Sequence, residues 1–442
     1  MLDLRYRSIL RMALPLMAST FIQSIVLITD SSFLSRHDTI AFDAVGNGGL
    51  IYITCFMALV GLSDGAQILM ARRIGEKKEN RLARIFGTTI FANFLTSIIL
   101  VGLIVFVIPD IITGYAKNQE IASGQIDYLN IRVYGLFFAM VSLAINAYLM
   151  AVGKTTIVFI SALFIAISNI GLDYILIFGT ETIPMMGLKG AALASTLSDG
   201  IGMLFLLIAL SLSAKQKKHK LFTELSYNFE SFKEVIRIGS PIVLQGVIAL
   251  STWTVFFTWI EQIGEYELTI SQTIRSLYFL AFVPVWGFGA TTKTYVSQYI
   301  GKGDLTQVKI IIKRIQLLSL LFLFIFFHGA ILYPETLIGL INPNEIYMKD
   351  TVEILRFVTG SVVIYSIGSV FFQTINGSGN TKFTFYIELI AVIVYIISAY
   401  IIIKIVDASI FWVWSVEYIY FISMGLFSVI YLKTFKWEKK QL

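Results

Sequence analysis

Apolar residues run through this chain in blocks of about twenty, separated by short polar links, and a block of that length coiled as a helix matches the hydrocarbon thickness of a bilayer. The pattern predicts twelve spans, at about residues 12–33, 45–71, 86–108, 128–152, 156–178, 187–213, 236–260, 268–296, 315–334, 352–376, 383–405 and 409–432. The links, among them "RRIGEKKENR", "AKQKKHK", "IGKGDLTQ" and "INPNEIYMKD", carry charge, glycine and proline, and exposed backbone of that kind needs water. Backbone inside the blocks has only itself to bond to, so the expected class is an all-α membrane protein of twelve transmembrane helices.

The blocks repeat. Sliding the chain by 226 residues superposes Arg11 on Arg237, Pro15 on Pro241, Tyr52 on Tyr278, Phe56 on Phe282, Gly61 on Gly287, Gly75 on Gly301, Gly153 on Gly379 and Thr155 on Thr381. Two pseudo-symmetric six-helix lobes around a central cavity are therefore expected, residues 1–213 and 235–442, joined by a cytoplasmic loop over 214–234. Lysine and arginine sort by side. Arg5, Arg7, Arg11, Arg72 to Arg84, Lys154, Lys215 to Lys220, Lys233, Lys302 to Arg314, Lys382 and Lys433 to Lys440 share one side, against Arg36, Lys117, Lys189, Lys349 and Lys404 on the other. That bias puts both termini in the cytoplasm of a multi-pass protein of the cell's inner (plasma) membrane. The N-terminus begins like a signal peptide, but its apolar run continues to Thr29 without a small-residue cleavage site, so it is expected to stay as the first span.

Composition agrees: 57% of residues are apolar and only 14% charged, which excludes an ordinary soluble globule. The net charge of +6 belongs to the topology-setting loops and forms no aromatic-interleaved patch, so no nucleic-acid partner is expected. The lone Cys55 allows neither an intrachain disulfide nor a cysteine metal cluster. His37, His219 and His328 are scattered, no hydrolase, kinase or zinc motif occurs, and the expectation is that the chain is not an enzyme. His219 should be solvated in its basic loop, and a lone His328 on an apolar helix should be packed and hydrogen-bonded.

Carboxylates inside the spans are the informative chemistry, because an ionised group there faces a cavity, a partner or an ion. Asp30 ends the first span, Asp64 interrupts the second, and Asp173, Asp199, Glu388 and Glu417 lie in the fifth, sixth, eleventh and twelfth. Asn169 and Asp173 are four residues apart, on one helix face, where an amide oxygen and a carboxylate can share a sodium ion or a proton. Asp64, Asp199 and Glu417 are further polar candidates, although Asp64 also suits a charge balance with Arg275 or a glycine crossing. At the repeat offset Asp30 meets Phe256 and Asp173 meets Ala399, so the halves share shape but not charge. Pro15 interrupts the first span and is either a hinge or a static kink. Trp253, Phe256, Phe257, Trp259, Phe279, Phe282, Trp286 and Phe288 suit an apolar wall for an organic cation, or ordinary packing.

Taken in order, Pro15 followed by "TDSSFLS", then "GLSDGAQILMARRIGEKKE", "NAYLMAVGKT", "NIGLDYILIFG", "GLKGAALAS" and "GFGATTKTYVSQYIGKGD" resemble the multidrug and toxic compound extrusion transporters over nearly the whole chain, closest to their DinF-like branch. The resemblance implies an antiporter that exports amphipathic, often cationic small organic compounds in exchange for Na+ or H+, with no cofactor beyond that coupling ion. It implies a cation site in the first lobe at Asp30, Asn169 and Asp173, where Na+ would be held, with Ser195 in the place of a family threonine. It also implies gating at Pro15. Acids that another branch carries in the seventh and tenth spans have no match in residues 242–260 or 357–381. Rival expectations are a lipid-linked oligosaccharide flippase, which would gather Arg132, Arg275 and Lys293 in its cavity, and an intramembrane acyltransferase built on His328.

Overall fold

The structure, a computed structural model, describes residues 2–115, 118–435 and 437, without the side chains of Arg36, His37, Thr39, Phe42, Tyr115, Lys215 and Gln216. Of the residues used above for topology, Lys117, Lys436, Lys439 and Lys440 lie outside the described residues, as do the side chains of Arg36, Lys215 and His37. The described residues are helical, with no strand among them. In chain order the helices are α1 (Tyr6–His37), α2 (Thr39–Gly75), α3 (Leu82–Phe106), α4 (Ile108–Tyr115), α5 (Gln119–Arg132), α6 (Gly135–Ala151), α7 (Thr155–Phe178), α8 (Gly187–Ser211) and α9 (Ala214–His219). They continue as α10 (Phe229–Glu261), α11 (Glu265–Lys302), α12 (Leu305–Phe327), α13 (Gly329–Leu332), α14 (Pro334–Gly339), α15 (Glu345–Gly377), α16 (Thr381–Tyr400), α17 (Ile410–Val413) and α18 (Val416–Thr434).

Eleven segments among the described residues are long and apolar enough to cross a membrane, and a twelfth is the pair α5 and α6, bent by 49°. The fourth span expected over 128–152 is thus broken at Val133 and Tyr134. The break follows Arg132, whose charge a straight apolar helix would have to bury and which here is ion-paired with Asp199 of α8. The third span runs past its expected end through α4, and the last is preceded by the short α17.

Packing divides the chain into two compact units, Leu14–Val243 and Met1–Ala13 with Leu244–Leu442. The divisions fall inside α1 and α10, beside Pro15 and close to Pro241, rather than in the link over 214–234. The expected lobes follow connectivity and the observed units follow contact, and the first turns of each long helix account for the difference. In the first unit, α10 crosses α2 backbone to backbone: a Cβ on Gly65 would stand 2.7 Å from the Gly239 nitrogen. Small residues at such a crossing let two helices approach where apolar solvent gives them no hydrophobic drive. In the second unit, Tyr299 and Tyr295 donate to the carbonyls of Leu2 and Asp3 at 2.8 and 2.9 Å, and Arg314 donates to that of Leu4 at 2.7 Å.

The link after α8 is more ordered than a solvated loop. His219, at the end of α9, is buried with 7% exposure and hydrogen-bonds Tyr148 Oη through Nδ1 at 2.7 Å, which corrects the expectation that it is solvated. Its ring is apolar enough to pack edge-on against Tyr148 while its nitrogens stay bonded. The second unit is cored by aromatic side chains. Phe256, Phe257, Phe282 and Phe288 of the expected wall are buried in it, whereas Phe279 and Trp286 are exposed.

At the end of α2, Arg73 is only 3% exposed and is bracketed by Glu76 at 3.0 Å and Glu234 of α10 at 3.1 Å. Burial favours the neutral Glu76, but the hydrogen bonds from Arg73 and Lys78 outweigh it and hold the carboxyl below its ordinary pKa. The stabilisation Glu76 provides is therefore present above the ordinary glutamate pKa and is lost as pH falls through the lowered one. Replacing Glu234 by Ala leaves Arg73 with half its partners. A loss of about 1.5–3 kcal/mol is expected, the worth of hydrogen bonds to a charged group, seen as a lower thermal midpoint in detergent.

Candidate cation site in the first unit

Three helices build the site. On α7 the four-residue spacing sets Asn169 and Asp173 one above the other, with exposures of 2% and 0%. That face meets α8 at very short range, because a Cβ on Gly190 would lie 2.4 Å from the Leu176 carbonyl oxygen. The approach brings Ser195 of α8 within reach, and Asn169 Nδ2 donates to Ser195 Oγ at 3.3 Å. From α1, the half-buried Asp30 turns its carboxyl against that of Asp173, within hydrogen-bonding range.

Four enclosed oxygens of these residues lack a hydrogen-bond donor: Oδ1 of Asp30, Oδ1 of Asn169, and both carboxylate oxygens of Asp173. Buried polar atoms almost always have partners, so a cluster of orphans marks a place for something else. Two carboxylates side by side in apolar surroundings repel strongly, and the arrangement closes when positive charge enters. The donors are all hard oxygens, from two carboxyls, an amide and a hydroxyl, which suits a small hard cation or a shared proton rather than a soft metal. No group of three His, Cys, Asp or Glu side chains placed to hold a metal occurs among the described residues.

Beside the cluster stands a fixed charge. Arg132 Nη1 donates to Asp199 Oδ2 at 2.7 Å, and its guanidinium lies over the Tyr52 ring at 4.1 Å. It also faces Asp30 and Tyr128. Asp199, expected among the further polar candidates, is therefore committed to Arg132. Arg132, Tyr52 and Tyr128 went unnoticed as neighbours of the carboxylates in the sequence, although one arginine inside an apolar block calls for an acid on another span.

The remaining candidates lie elsewhere. Asp64 is half-buried on α2 and has a partner of its own. Glu417 belongs to the second unit, where Tyr395 and Trp253 donate to its Oε1 at 3.1 and 3.4 Å. Pro15 sits within α1, where it removes one rung of the helix ladder, and Ser19 Oγ donates to its carbonyl at 2.8 Å.

The family model described as MatE matches residues 15–175 and again 241–401. The chain belongs to the MatE family. The two matches are 226 residues apart, the offset at which the sequence superposes on itself. Among similar proteins is the "probable multidrug resistance protein NorM" of Thermotoga maritima, 25% identical over 98% of this chain and 93% of its own length. The "probable multidrug resistance protein YoeA" of Bacillus subtilis is 20% identical over 99% of this chain and 95% of its own. A solved structure described as the outward-facing conformation of a multidrug resistance MATE family transporter of the MOP superfamily superposes with a TM-score of 0.87. It is 17% identical, covers 99% of this chain and 97% of its own, and shares the two-lobed helical fold. This MatE protein is thus a multi-pass membrane protein of a multidrug-efflux transporter family.

Close contact of α7 and α8 holds Asn169 beside Ser195, so widening it should disturb the site. Gly190→Leu is expected to overpack the crossing at a cost of about 1–3 kcal/mol, read as a lower thermal midpoint, with Gly190→Ala showing a smaller drop of the same sign.

Proposed function

We propose that this MatE protein is a secondary antiporter of the plasma membrane. It exports small amphipathic, cationic organic compounds in exchange for Na+ or H+, with both termini in the cytoplasm. The observation that carries the reading is the set of four buried, donor-less oxygens on Asp30, Asn169 and Asp173, with the two carboxyls against each other and Asn169 bonded to Ser195. A coupling ion at that cluster neutralises the repelling carboxylates, and its departure restores the repulsion. Occupancy and helix geometry are thereby linked. Pro15, lower on α1, lacks the hydrogen bond that would resist bending, so α1 can change its course as Asp30 gains or loses its counter-charge. Rocker-type alternating access of the two lobes follows as the transport cycle.

The rival readings find less support. Arg132 is engaged with Asp199 and Tyr52, and Arg275 lies over the Phe257 ring at 4.8 Å in the second unit, so Arg132 is already neutralised by an acid rather than left for a pyrophosphate. His328 bonds the Ile325 carbonyl and Tyr333 Oη, both within five residues, rather than a second catalytic group.

Reconstituted in liposomes, the protein should drive dye efflux when a sodium or a proton gradient is imposed alone, which also identifies the ion. Asp173→Asn should reduce that efflux roughly ten- to a hundredfold, as expected for losing about 1.5–3 kcal/mol of charged contact. Full coupled efflux in Asp173→Asn, or drive by neither gradient, would overturn the reading.

A further inference from the structure

At the repeat offset of 226 residues, the four site residues Asp30, Asn169, Asp173 and Ser195 correspond to Phe256, Tyr395, Ala399 and Phe421. All four counterparts are buried, and the rings of Phe256 and Tyr395 meet edge to face at 5.5 Å. Three aromatic rings and a methyl group stand where the first unit has carboxyls, an amide and a hydroxyl. The buried acids of the second unit among the described residues stand elsewhere, Glu388 on α16 and Glu417 on α18, and their own counterparts in the first unit are Ala162 and Ala191.

Glu388 and Glu417 are 4% and 1% exposed. Tyr395 Oη and Trp253 Nε1 donate to Glu417 Oε1 at 3.1 and 3.4 Å, and Tyr420 Oη donates to Glu388 Oε1. The rings of Tyr395 and Tyr420 pack at 5.7 Å, so two tyrosines join the two carboxyls. The other titratable groups that face them are again phenols, Tyr365 of α15 toward Glu388 and Tyr278 of α11 toward Glu417. Among the described residues no lysine, arginine or histidine bonds to either carboxyl or acts on its charge.

We propose that Glu388 and Glu417 form a second proton-binding site, distinct in residues and in chemistry from the Asp30–Asp173 cluster. Two carboxylates enclosed in aromatic carbon with no counter-cation are unstable as a charged pair, and a positive charge must enter or the acids must be neutral. An organic substrate does not fit side chains so fully enclosed. A metal cation needs several oxygens turned inward, whereas Glu417 meets Trp253 through an N–H that can only donate. A proton needs neither room nor ligands. It arrives from water as H+, forms an O–H bond on a carboxylate oxygen without breaking any bond in the protein, and leaves by the reverse step. On protonation the hydroxyls of Tyr395 and Tyr420 can turn from donating to accepting, which keeps the pair hydrogen-bonded in both states. The inference rests on the antiport reading only for its use in transport, because proton binding is measured without any gradient.

The test is an infrared pH titration of the full-length protein in lipid, reading the C=O stretch of protonated carboxyls in apolar surroundings and its shift in D2O. In the Asp30→Asn, Asp173→Asn double variant a titrating band of this kind should remain, and adding Glu388→Gln and Glu417→Gln should abolish it. No titrating band in the double variant, or one unchanged by both glutamines, overturns the proposal. Should the glutamine variants fail to fold, Tyr420→Phe and Trp253→Phe keep both acids and each remove one donor. Each should then shift the band, and an unshifted band overturns the proposal equally. Failure of the antiport reading appears separately, as absent gradient-driven efflux with the titration intact.

Discussion

A bilayer interior contains no water, so every backbone amide and every ionised side chain in the spans must find its partner within the protein. The helices satisfy the backbone. For the side chains, the fold sorts charges by how they are answered. Arg132 is answered by Asp199, and Arg73 by Glu76 and Glu234, each a buried cation met by carboxylates from a different helix or the next turn. Asp30 and Asp173 stand against each other instead, with no hydrogen-bond donor on either oxygen of Asp173, and that exception marks the place where the molecule's chemistry is concentrated.

The chain contains two copies of one helical plan, with the buried acids at non-equivalent positions. The shared framework persists in residues that shape the backbone, such as Pro15 and Pro241, whereas the polar positions have been rewritten. In the first unit, carboxyl, amide and hydroxyl groups of α1, α7 and α8 occupy these positions. In the second, the corresponding positions are filled by Phe256, Tyr395 and Phe421, and the buried acids Glu388 and Glu417 are bonded by aromatic donors. One plan thus carries a cluster of orphaned oxygens in one copy and a satisfied aromatic core in the other.

Long helices beside the two prolines make the units interdependent in sequence even though each has its own core. Residues 2–4, just before α1, are held by Tyr295, Tyr299 and Arg314, far along the chain, and the early part of α10 is held by the glycine face of α2. Each unit therefore contains the opening of a helix whose remainder belongs to the other.

Span number, helical class and internal repeat were legible in the sequence because they depend on local quantities: hydropathy over twenty residues, and the recurrence of glycine, proline and arginine at one offset. The neighbourhood of Asn169 and Asp173 was legible too, since a four-residue spacing fixes a helix face wherever that helix lies. What surrounds that face was decided by tertiary structure alone. The pairing of Arg132 with Asp199 and the burial of His219 against Tyr148 join residues dozens of positions apart, and no local periodicity encodes them or the bend between α5 and α6. The same holds for the aromatic side chains: one apolar pattern produced both the buried Phe256 and the exposed Trp286, because hydropathy tells that a residue avoids water but not whether it meets lipid or protein.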